Sequence, residues 1–149
     1  MCKHMHKSPH TVAAPTRMLY RRAFLLAAIL ATIIAGLLTR HLLTGPLAKY
    51  LGVALYAVMM FFLVTFTIPR AKTHHIAAIA LAICFAIEFL QLTPIPANIN
   101  SHMPLMRLVL GEHFSWWDLP TYLAGVCFAA AFLTIARPSY LNPPDPKPP

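Results

Sequence analysis

Four polar side chains stand apart in a chain that is otherwise largely apolar: Glu88 and Gln91 near the end of one hydrophobic run, Arg107 in the segment after it, and Asp118 at the opening of the next run. A carboxylate near the end of an apolar segment is costly unless it is paired, hydrated or turned toward a protein interior. Glu88 and Gln91 are three residues apart, which puts them on one face of a helix. Arg107 is the only Arg or Lys in its loop and is the natural counter-ion for Glu88. Asp118 stands just ahead of Pro120 and reads as a helix cap or as a third member of the cluster, with Trp117 and Tyr122 beside it.

Such a set supports three kinds of chemistry. In a binding site, Arg107 attracts an anionic group, Gln91 orients it by hydrogen bonding, and Glu88 and Asp118 position the arginine or a cation. In an enzyme, Glu88 is the candidate catalytic acid or base and Asp118 the second carboxylate, although no nucleophile motif accompanies them. In a small transporter subunit, Glu88 is an intramembrane carboxylate on an ion path, and four short spans need a homo-oligomer to line it. The plain alternative is that the charges only hold two helices together.

The elements that position these residues follow from composition. The chain has 149 residues, of which 58% are hydrophobic, and its mean hydropathy is +0.64. A soluble fold of this size has no core large enough for so much apolar surface, whereas a bilayer replaces the missing core. The expected fold is all-α, an integral membrane bundle of four transmembrane helices over about 23–44, 50–68, 74–93 and 119–136. Residues 1–22 form a basic tail and 138–149 a disordered proline-rich tail. Arg21 and Arg22 before an apolar stretch resemble a signal segment, but the long leading stretch and Arg40 favour a retained first helix.

The net charge of +8 does not point to nucleic acid, because the bases lie at the ends of apolar runs rather than in a groove. No phosphate-loop or dinucleotide fingerprint is present, so no cofactor is implied. His4, His6 and His10 lack acidic or cysteine partners and read as surface residues, so no metal site is expected. Cys84 and Cys127 read as small buried hydrophobes.

Within this frame, the arrangement of Lys49 to Gly52, Glu88-Phe-Leu-Gln91, Arg107, Leu110-Gly111, Phe114-Ser-Trp116-Trp117-Asp118, Tyr122 and Gly125 resembles the DUF2809 family of small bacterial membrane proteins. More distantly it resembles VanZ-like proteins, which are linked to glycopeptide resistance and cell-envelope behaviour. The chain departs from the DUF2809 pattern at Val53, where an acid is usual, at Tyr56, where tryptophan is favoured, and over 93–98. The resemblance implies a multi-pass protein of the bacterial inner membrane. Its expected partners are membrane lipids, an anionic envelope lipid or a cell-wall component among them.

Orientation follows from the distribution of Lys and Arg. Arg17, Arg21, Arg22, Arg70, Lys72 and Arg137 flank one side of the spans, and Arg40, Lys49 and Arg107 the other. Cytoplasmic flanks carry the excess, so both termini are expected inside and the segment from Glu88 to Asp118 outside. Cysteines introduced at Asn98 and Ala71 test this: an impermeant thiol reagent on intact cells is expected to label the first and spare the second, and the reverse pattern inverts the topology.

Overall fold

The computed structural model describes residues 13–111 and 113–136. They form α1 (Ala13–Leu42), α2 (Pro46–Thr67), α3 (Thr73–Leu90), α4 (Ile95–His102), a 3-10 turn (Pro104–Met106), α5 (Arg107–Leu110) and α6 (Asp118–Ile135). Four of these, α1 from Met18 onward, α2, α3 and α6, are long and apolar enough to cross a membrane. The fold is all-α, with no strand among the described residues. The expectations for the leading histidines and the proline-rich tail fall outside the described residues.

The boundaries differ most from the sequence reading in two places. Helix α1 begins at Ala13 rather than near residue 23, because Arg17, Arg21 and Arg22 are compatible with helix and nothing in 13–22 breaks one after Pro15. At 30 residues it is about 45 Å long, more than the roughly 30 Å hydrocarbon core. A short helix, α4, also follows α3 at Ile95–His102, with Pro94 at the N-cap position and Pro96 in the first turn, where the missing N–H is not needed.

Helix α2 is the hub, packing against α1, α3 and α6, while α3 also packs on α6. Its buried residues, from Ala57 through Phe61 to Thr65 with Val58, Met60 and Phe62, wrap more than half of its circumference. Such burial requires neighbours on several sides. Helix α3 buries a single stripe at four-residue spacing, Ile76, Ala80, Cys84 and Glu88. Helix α6 answers with Asp118, Tyr122, Gly125, Val126 and Ala129. Cys127 lies off that stripe and is exposed on the bundle surface, so only Cys84 of the two is a core residue. Helix α1 is peripheral: Leu25 is buried against the bundle, while Leu30, Ile34, Leu38 and others remain exposed, as lipid contact requires.

The approach of α6 to α2 depends on one glycine. A Cβ on Gly125 would lie 2.6 Å from the Ala54 carbonyl oxygen and 2.9 Å from the Ala57 Cβ, so only a hydrogen fits. A Cβ on Gly36 would meet nothing within 4 Å. Gly125→Ala is therefore expected to destabilise the bundle by about 1–3 kcal/mol through overpacking. Gly36→Ala is expected to leave stability unchanged or raised by up to about 1 kcal/mol. Unfolding of the two variants in detergent checks the difference, and equal losses would contradict the close approach.

Candidate functional site

Glu88 is the last member of the buried α3 stripe and has no exposed surface. Its position continues a run of core residues, so the fold carries the carboxylate inward. Both oxygens are satisfied there: the Ser115 backbone N–H donates to Oε1 at 2.7 Å, and the Tyr122 hydroxyl donates to Oε2 at 2.9 Å. The expected pairing with Arg107 does not form. The two groups that hold Glu88 come from the segment just before α6 and from the second turn of α6, which lie directly against the end of α3. A buried carboxylate needs such donors, and hydrogen bonds to a charged group contribute about 1.5–3 kcal/mol each.

Gln91, one turn further on, clamps the loop. Its Nε2 donates to the Leu110 carbonyl at 2.8 Å, and Asn100 Nδ2 donates to the Gly111 carbonyl at 2.8 Å. Gly111 has a φ of +69°, and a Cβ there would stand 2.5 Å from Gln91 Nε2. The positive φ favours glycine, and a Cβ would displace the Gln91 amide from the Leu110 carbonyl. The side-chain amide expected to orient a ligand thus has its donor end committed to the backbone, while its Oε1 is buried without a partner.

Asp118 opens α6 as its first residue and makes no side-chain cap, so the capping expectation is corrected. Its carboxylate turns to Lys49 on the first turn of α2, with Nζ 3.1 Å from Oδ1. The approach lacks hydrogen-bond geometry, so charge rather than a directed bond holds the pair. Lys49 is about half exposed and Asp118 nearly buried, 47% and 7% for the side chains. Such a pair lies between the roughly 0–1 kcal/mol of an exposed one and the several kcal/mol lost when a buried one is broken. At the start of α6 the negative charge also complements the helix dipole.

These groups border a cavity of about 920 Å³ at the end of the bundle where α1 finishes, α2 begins, α3 finishes and α6 begins. Arg40, Lys49 and Arg107 line it with Gln91, Asp118 and Tyr122. Among the described residues, three cations and one carboxylate line it. Tyr56 also lines the cavity, its hydroxyl buried without a partner and its ring 6.4 Å from that of Tyr122. Buried polar atoms without a partner are few in folded proteins.

The structure therefore sorts the expected residues. Gln91, Arg107, Asp118 and Tyr122 meet at the cavity, and Glu88 stands behind Tyr122 as the group that fixes it. Trp117 is 71% exposed and belongs to a separate shallow groove with Tyr50, Pro120 and Thr121. Sequence reasoning treated Lys49 as a membrane flank and Tyr56 only as a departure from the family pattern, and passed over Asn100 and the Ser115 N–H. Lys49 and Asp118 are both first-turn residues of apolar helices, and that shared position was the available signal. Among the described residues no group of side chains is placed to hold a metal ion.

Double-mutant cycles in detergent test this sorting. Glu88→Gln with Tyr122→Phe is expected to show coupling of about 1–3 kcal/mol, since the two share one hydrogen bond. Glu88→Gln with Arg107→Gln is expected to be additive within about 0.5 kcal/mol. Strong coupling in the second cycle and none in the first would reverse the assignment.

No solved structure matches this chain. A family model described as Protein of unknown function (DUF2809) matches residues 42–126, more than half of the 149 residues, and the match covers Lys49, Glu88, Gln91, Arg107, Asp118 and Tyr122. The chain is a multi-pass membrane protein and belongs to the DUF2809 family.

Proposed function

We propose that the cavity binds the anionic group of an envelope lipid or cell-wall component at the outer face of the cytoplasmic membrane, both termini being cytoplasmic. The observation that carries this reading is the lining itself, where Arg40, Lys49 and Arg107 stand with one carboxylate, that of Asp118, among the described residues. Cations beside an apolar wall favour an anion strongly, because the low dielectric there weakens screening. Asp118 holds Lys49 in place rather than cancelling the site. The distribution of Lys and Arg along the chain supports the outward orientation.

The burial of Glu88 favours binding over proton-transfer chemistry. Both of its oxygens accept hydrogen bonds from protein groups, and it presents no surface to the cavity. Its part in this proposal is to hold Tyr122 and the segment before α6 in register, a positioning role.

Mass spectrometry of lipids and envelope intermediates retained through gentle purification tests the proposal. The protein is expected to enrich an anionic species over bulk membrane composition, and Lys49→Gln and Arg107→Gln are each expected to lower that enrichment on the order of tenfold, the equivalent of one lost charged contact. Arg70→Gln, at the opposite end of the bundle, is expected to leave it unchanged. Retention that mirrors the bulk membrane in all four proteins would refute the proposal.

A further inference from the structure

The cavity is longer than an anionic group requires. From Arg40 its α1 wall runs back through Leu37, Gly36 and Ile33 to Thr32, and its α2 wall runs from Lys49 through Gly52 to Met59. At 1.5 Å per residue these are about 12 Å and 15 Å of helix, leading from the charged end toward the middle of the spans. The walls beyond the cations are almost wholly apolar. A small soluble anion would fill only the charged end.

Two glycines mark the course of this groove. Gly36 and Gly52 both line it, and a Cβ on either would have no atom within 4 Å. Glycine inside a helix weakens it by roughly 1 kcal/mol relative to alanine. Within membrane bundles that cost is usually met by close helix packing. Gly125 shows such packing here, but Gly36 and Gly52 do not. They leave a smooth floor instead.

The groove is also open to the side. Helix α1 packs chiefly on α2, so the space between α1 and α3 is not closed by helix packing. A ligand dissolved in the bilayer can enter there without passing through water. At the charged end, Arg40, Lys49 and Arg107 suit an anionic headgroup such as a phosphate.

We infer that the occupant is a membrane-resident amphiphile with a phosphate-bearing headgroup, its headgroup between Arg40, Lys49 and Arg107 and its acyl chain along the groove floored by Gly36 and Gly52. This rests on the anion-binding reading above and adds the chain, the groove and lateral entry from the bilayer.

The test uses the full-length protein in phosphatidylcholine nanodiscs, with phosphatidylglycerol and glycerol 3-phosphate as probes and native mass spectrometry as the readout. The protein is expected to retain phosphatidylglycerol at least about tenfold over phosphatidylcholine. Gly36→Leu and Gly52→Leu, which place a side chain in the groove, are each expected to reduce that retention at least about fivefold. Excess glycerol 3-phosphate is expected not to compete. If glycerol 3-phosphate displaces the lipid and both glycine variants retain it as the parent does, the site is one for a soluble anion, and the inference falls while the proposed function stands. If neither probe binds above background and Arg107→Gln changes nothing, both fall. Should a glycine variant fail to fold, a photoreactive phenylalanine analogue at Leu37 answers the same question: crosslinking to the acyl chain is expected, and its absence overturns the groove.

Discussion

The buried carboxylate of Glu88 is the constraint on which the rest of this bundle depends. An ionisable group with no exposed surface at a core position of a membrane helix is tolerated only where fixed donors replace its hydration. Here one donor is a backbone N–H from the segment entering α6 and the other a hydroxyl on α6 itself. Both bonds reach forward along the chain from α3 and fasten it to the entry and the second turn of the same helix. A shift of α6 along its axis would break both. Gly125 allows α6 to reach α2 at the required depth, and Tyr122, three residues earlier, is carried to Glu88 by that contact.

The loop between α3 and α6 is held by the same logic. Gln91 and Asn100 bind consecutive carbonyls at Leu110 and Gly111, and Glu88 binds the N–H of Ser115. Three side chains thus take up backbone groups that would otherwise lie unsatisfied near the bilayer surface. These bonds fasten Leu110, Gly111 and Ser115, and Arg107 stands on the short helix α5 at the edge of the cavity. Polar residues of this end fall into two layers. The inner layer, Glu88 with Tyr122 and Ser115, is satisfied internally, whereas the outer layer, the Lys49 and Asp118 pair with Arg40 and Arg107, borders the cavity.

Much of this was legible from particular residues. The apolar runs and their basic ends gave four spans, because a bilayer demands about 20 apolar residues per helix whatever the neighbours are. Glu88 and Gln91 stood out because carboxylates and amides inside such runs are rare, and their three-residue spacing gave a common face. Tyr122 and Gly125 fell on the helix expected to receive them. The pairings were less accessible. Arg107 was matched to Glu88 by proximity in sequence and by charge, but the partners are a neutral hydroxyl and a backbone N–H. Lys49, nearly forty residues before Glu88, took the other carboxylate.

Sequence by itself determined the class of protein, the number of long apolar helices and the end of the bundle at which the polar groups gather, since these follow from hydrophobicity and charge along the chain. Tertiary structure alone decided which donor meets which acceptor, that α2 is the hub, and that α1 stands far enough from α3 to leave a groove. Those outcomes depend on helix rotation and on approach distances of a few ångströms, and a single Cβ at position 125 or a hydroxyl at position 122 settles them. No one-dimensional pattern encodes such distances, because each is fixed jointly by residues far apart in the chain.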